Sequence, residues 1–97
     1  MRTVPLLSAV EGELARAAEH YEDEAPHLGE EFLQEFERAL ERIATFPTHG
    51  TPYIAGPRRV VLQRFPFQII YSVDVSRPLV VALAHQKQRP GYWLERV

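Results

Sequence analysis

Apolar residues return along this chain at two spacings, one helical and one extended. After a short extended run over residues 2–7, where Pro5 belongs at a strand end or sheet edge, Ser8 and Glu11 form an S-x-x-E capping box. Val10, Leu14, Ala17 or Ala18, Tyr21 and Ala25 then recur at helical spacing and predict a helix over residues 9–24, with Gly12 a mild liability. Pro26 disfavours the α conformation at Ala25 and closes that helix. A second stripe of Leu28, Phe32, Leu33, Phe36, Leu40 and Ile43 predicts another helix ending near Phe46, before Pro47. So short a connection makes the two an antiparallel hairpin. The stripe reads as core and not as a groove for a partner.

Residues 47–57 carry three prolines and two glycines and predict a loop. The β-branched run Arg58-Arg59-Val60-Val61-Leu62 follows. Phe67, Ile69, Tyr71, Val73 and Val75 then alternate with Gln68, Ile70, Ser72 and Asp74, the signature of a half-buried strand. A turn over Ser76, Arg77 and Pro78 leads to a buried central strand from Leu79 to Ala84. The element order is β-α-α-β-β-β. It predicts an α+β fold in one domain over residues 1–97, with a helical hairpin packed on one face of a small, largely antiparallel sheet and the other face open.

Charge divides this picture in two. The net charge is −2, yet residues 11–41 hold eleven acidic residues against Arg16 and Arg38, while residues 51–97 hold seven basic residues against Asp74 and Glu95. One anionic and one cationic side are implied. With 97 residues, 45% apolar, the chain suits one small core, and its lack of cysteine fits a reducing compartment. No stretch approaches a membrane span, and residues 1–10 turn polar too soon for a signal peptide, so a soluble cytoplasmic protein with no membrane partner is expected.

Chemistry concentrates near the C-terminus. No nucleophile elbow, no paired metal-ligand spacing among His20, His27, His49 and His85, and no phosphate-cradling glycine pattern is present, so neither metal nor cofactor is expected. If the last strand persists to Arg89, His85, Lys87 and Arg89 share one face at intervals of ~7 Å. Metal-free RNA cleavage needs a base, an acid, cations for the phosphorane and an aromatic platform. His85, Lys87, Arg64 and Tyr92 are the candidate catalytic residues, and Arg58, Arg59, Arg89 and Trp93 the candidate binding residues. The same cluster equally suits an electrostatic docking face anchored by Tyr92 and Trp93. Plainer roles compete with both. His85 would be a satisfied strand-end histidine, Lys87 and Arg89 charges that block edge pairing, and Tyr92 and Trp93 a C-terminal tuck over the core.

The β-α-α-β-β-β order resembles the RelE/ParE superfamily of toxins from type II toxin–antitoxin modules, also called plasmid stabilisation proteins. The residues that carry the likeness are Ala17-Ala18-Glu19-His20-Tyr21-Glu22 before Pro26, Leu28-Gly29-Glu30, Leu40-Glu41-Arg42-Ile43 before Phe46-Pro47, Arg58-Arg59-Val60, Tyr71, and Ala84-His85 running to Pro90-Gly91-Tyr92-Trp93. The resemblance implies growth arrest, neutralisation by a cognate antitoxin whose C-terminal segment folds on binding, and contact with operator DNA only through the antitoxin complex. It implies one of two targets: DNA gyrase for ParE-like members, or messenger RNA in the ribosomal A site for RelE-like members. RelE-like toxins carry an arginine after an aromatic residue in the third strand, where Gln68 follows Phe67 here, and second-strand lysines where this chain has Val60-Val61-Leu62. The hydrophobic strand leading into His85, Lys87 and Arg89 resembles the ParE pattern. Gyrase inhibition is therefore the expected activity, and ribosome-dependent RNA cleavage, with His85 as acid or base, the alternative.

Overall fold

The computed structural model describes residues 4–74 and 77–97. Two helices, α1 (Ser8–Glu24) and α2 (Leu28–Thr45), precede four strands, β1 (Thr51–Pro52), β2 (Arg58–Val61), β3 (Phe67–Asp74) and β4 (Arg77–His85), and a 3-10 turn at Leu94–Arg96 closes the chain. The strands form one antiparallel sheet in the order β1-β2-β3-β4. This is the α+β fold expected from the hydrophobic pattern. Val75 and Ser76 of the expected third strand and turn, and the start of the expected first strand at Arg2 and Thr3, lie outside the described residues.

The expected first strand is reduced to one parallel bridge, Leu6 to Val80. Leu7 N–H donates to Val80 O and Val80 N–H donates to Pro5 O, both at 3.0 Å, so the segment lies along the outer edge of β4. Pinning Leu7 in this way starts α1 one residue earlier than the capping box implied. Leu7 takes the N-cap position and makes no side-chain cap, so the Ser8–Glu11 reading is corrected. The start of α2 is capped from a distance instead: the Glu22 carboxylate accepts from His27 N–H (2.9 Å) and Gly29 N–H (3.1 Å). Gly29 also lets the helices meet, because a Cβ there would stand 2.4 Å from Ala18 O.

The hairpin packs on one face of the sheet. Val10, Leu14, Tyr21, Phe32, Phe36 and Ile43 meet Val60, Ile69, Tyr71, Val80 and Leu83 in one core, with Phe65 folded in from the loop after β2. Leu33 departs from the expected stripe at 37% exposed, and Glu35 and Ala39 take the buried face in its place. Glu35, only 7% exposed, accepts from Gln63 N–H at 2.7 Å and Arg64 N–H at 3.3 Å, so the β2–β3 loop hangs on α2 through a carboxylate.

The second face of the sheet is not open. Trp93, 1% exposed, packs on Ile70, Val81, Ala82 and Ala84, with Tyr53, Leu79 and Tyr92 around it. A bulge after Ile70 pairs Ile70 with Ala82 and Tyr71 with Val80, which places Val81 and Ala82 together on this side. The reading of Trp93 as a binding anchor is corrected accordingly: burying a large ring in this second layer removes it from solvent, and the C-terminal tuck is its role.

Candidate functional site

The last strand stops at His85, not at Arg89. Gln86 N–H donates to Pro66 O at 2.8 Å, Gln88 N–H donates to His85 O at 3.0 Å, and His85 N–H donates to the Gln88 side-chain oxygen at 2.7 Å. These bonds turn the chain, so His85, Lys87 and Arg89 do not share a strand face, and that expectation is corrected. Lys87 and Arg89 stand exposed in and after the turn.

His85 itself sits at the mouth of a 240 Å³ cleft lined by Glu13, Arg16, Phe67, Leu83 and Gln88. Its ring meets Phe67 edge-on, with centroids 5.0 Å apart. Lys87 N–H donates to His85 Nδ1 at 3.0 Å, which leaves the proton of the neutral imidazole on Nε2. Arg16 lines the same cleft from α1, with its guanidinium beside Gly12.

The carboxylate in the cleft is already committed. Glu13 Oε1 accepts from Leu83 N–H at 3.0 Å, on the side of β4 that has no strand partner, while Oε2 accepts from the Tyr92 hydroxyl at 2.8 Å and pairs with Arg96 Nη1 at 3.1 Å. Arg96 also donates to Val81 O at 3.0 Å. One acidic side chain thus joins α1, β4 and the C-terminal segment. Burial, reinforced by the hydrogen bond to Glu13 and its negative charge, holds the Tyr92 hydroxyl well above the usual tyrosine range. Tyr92 therefore keeps its proton at neutral pH and spends it on Glu13.

The other candidates fall elsewhere. Arg64 Nη2 pairs with Glu31 Oε1 at 2.7 Å, against α2 and outside the His85 cleft. Arg58 Nη1 donates to Gly50 O at 2.7 Å and Thr48 O at 3.3 Å, tying down the loop before β1. Arg59 lies over the Tyr53 ring at 4.4 Å and donates to the Gln68 side chain at 3.2 Å. Of the four residues grouped for proton transfer, only His85 and the neighbouring Lys87 come together, while Arg64 and Tyr92 are held by Glu31 and Glu13. Arg16, Glu13 and Gln88 went unmarked in the sequence, because nothing separates Glu13 from its solvated neighbours until β4 is placed beside it. Among the described residues no group of three histidine, aspartate or glutamate side chains is arranged to hold a metal ion, and no helix is long and apolar enough to cross a membrane.

Residues 6–90 match the family model described as the ParE toxin of the type II toxin–antitoxin system, parDE. No curated protein matches the chain in sequence. Among solved structures, a chain from the chromosomal ParDE toxin–antitoxin system of P. aeruginosa has a similar fold, with a TM-score of 0.72 at 15% identity, covering 88% of this chain and 98% of its own.

Proposed function

The chain belongs to the ParE toxin family of type II toxin–antitoxin systems, and from that premise we propose that it arrests growth by docking on DNA gyrase, without cutting RNA, and that a cognate antitoxin neutralises it. The observation that carries this reading is the dispersal of the proton-transfer groups: Tyr92 is bonded to Glu13 and Arg64 to Glu31, so of that set only Lys87 stays near His85, through its backbone N–H, and the cleft's other charged side chains are Arg16 and a Glu13 already bonded to Leu83, Tyr92 and Arg96. General acid–base cleavage asks for two groups within hydrogen-bond reach of one substrate. A docking surface asks only for exposed charge in a fixed arrangement. Lys87 and Arg89 meet that requirement, exposed in and just after a turn that four backbone and side-chain bonds hold at His85, with Arg16 exposed on α1 at the same cleft. Operator DNA enters this reading only through the antitoxin complex.

The test is a gyrase supercoiling reaction run beside a cell-free translation reaction in which messenger RNA ends are mapped. Supercoiling is expected to fall with added protein while the RNA stays intact. Reversing Lys87 and Arg89 to glutamate is expected to weaken inhibition by about 10-fold or more, since like charges at a complementary interface are costly. Full supercoiling at high protein concentration, or new RNA ends that appear only during translation and vanish in His85→Ala, overturns the proposal.

A further inference from the structure

Two arginines stand out on the otherwise acidic α2. Arg38 and Arg42 lie one turn apart, ~6 Å between their Cβ atoms. Both are exposed, and neither guanidinium has a hydrogen bond or ion pair among the described residues. Together they form a ridge between two hollows. The inner one, 170 Å³, is walled by Glu35, Gln63 and Arg64; the outer one, 310 Å³, is walled by Glu41, Thr45 and Phe46. Phe46 is 65% exposed, the most exposed large apolar side chain among the described residues.

The charge already present in the inner hollow is spoken for. Glu35 turns its Oε2 to the Gln63 and Arg64 amides, and Arg64 gives one nitrogen to Glu31. Two guanidiniums therefore face the hollow with unspent donors, beside a polar amide at Gln63. That is the donor set for one carboxylate, since a guanidinium presents its N–H groups as a fork that matches two carboxylate oxygens. A polyanion fits less well. The helix carries five carboxylates against these two arginines, so a run of phosphates would meet net negative charge within a Debye length of ~10 Å. A single acidic side chain brings one charge to the two guanidiniums and far less repulsion from those carboxylates than a run of phosphates would, and leaves room for an apolar neighbour on Phe46.

We propose that Arg38, Arg42 and Phe46 form a docking point for the antitoxin, taking one aspartate or glutamate side chain between the two arginines and an apolar residue from the same stretch of antitoxin on Phe46. This rests on the toxin–antitoxin reading above and adds the place and chemistry of the contact. It puts the antitoxin contact on the helical hairpin, away from the His85 turn assigned to the target.

The probe is the product of the gene beside this one, co-expressed with wild-type chain, with Arg38→Glu/Arg42→Glu and with Phe46→Ser, each checked for an unchanged melting temperature. The double charge reversal is expected to arrest growth as the wild type does, while its affinity for the neighbouring product falls by about 10-fold or more and loses part of its salt dependence. Arg38→Lys/Arg42→Lys should retain an intermediate affinity. Equal neutralisation of wild type and double variant overturns the inference, as does a folded double variant that no longer arrests growth, since the ridge then faces the target. A wild-type chain that neither arrests growth nor binds the neighbouring product removes the toxin reading itself, and this inference with it.

Discussion

Gly50 shows how one residue can hold a loop with no side chain at all. Its N–H donates to Tyr71 Oη at 2.9 Å, and that hydroxyl donates to Pro47 O at 2.8 Å, so the loop folds over the buried tyrosine. A Cβ at this position would lie 2.7 Å from Tyr71 Oη and 2.8 Å from Arg59 O. Gly50→Ala is therefore expected to destabilise the fold by about 1–3 kcal/mol, read as a lower urea midpoint at unchanged slope, because the second atom it strikes is backbone and gives way only if β2 moves. A midpoint equal to wild type would mean that the loop shifts freely. Little of this was legible beforehand. The glycine announced a loop, but the reason it must be glycine depends on a tyrosine twenty-one residues away. Glu13 and Glu35 make the same point for charge: the acidic helices read as solvated, whereas these two carboxylates serve Leu83, Tyr92 and Arg96 in one case and the β2–β3 loop in the other.

At the scale of elements, the hydrophobic periods located both helices and three of the four strands, because each has one face against a large core. What they missed was set by contacts distant in sequence. Residues 2–7 looked like a strand, yet over the described part of that run β4 accepts a single bridge, at Leu6, before α1 begins. His85 to Arg89 looked extended ahead of Pro90, but Pro66 and Gln88 capture the amides and end the strand. The C-terminal segment had two readings as recognition motif or core lid, and only the second face of β3 and β4 decides between them. Trp93→Ala should cost about 3–5 kcal/mol, since it empties the centre of a layer that holds few other large side chains. The checking measurement is thermal unfolding, and a melting temperature within a degree or two of wild type would show the segment to be dispensable. Leu33, by contrast, fits the helical period and still lies in the open, since the stripe is wider than the sheet it covers.

For the molecule as a whole, the acidic helices and the basic C-terminal half of the sequence are partly stitched together. Arg64 reaches Glu31 and Arg96 reaches Glu13, so two of the seven C-terminal basic residues are spent on the acidic helices. Lys87 and Arg89 remain exposed at the His85 turn, and Arg38 and Arg42 on the opposite kind of element, which gives the chain two separate cationic surfaces. Global stability should also bend at alkaline pH. Tyr92 and Tyr21 are both held above the ordinary tyrosine value of 10.0, chiefly by burial. As pH rises past 10 the unfolded chain releases these protons before the folded one does, so their contribution is complete below that value and declines above it. Urea titrations between pH 8 and 11.5, a range chosen to span roughly the unperturbed tyrosine value, are expected to show that decline, shallower in Tyr92→Phe. A flat profile in the wild type would mean that neither hydroxyl is withdrawn from water in the folded chain as the structure has it.

Trp93 is the single tryptophan of the chain, lying 5.9 Å from the Tyr53 ring in the sheet's second apolar layer, opposite the face on which the helical hairpin packs. The protein thus carries its own optical reporter for one layer only. Ultraviolet emission will follow the C-terminal cover, while far-ultraviolet ellipticity follows the helical hairpin. Overlaying the two signals during unfolding will tell whether the layers part company or leave together, with no label attached.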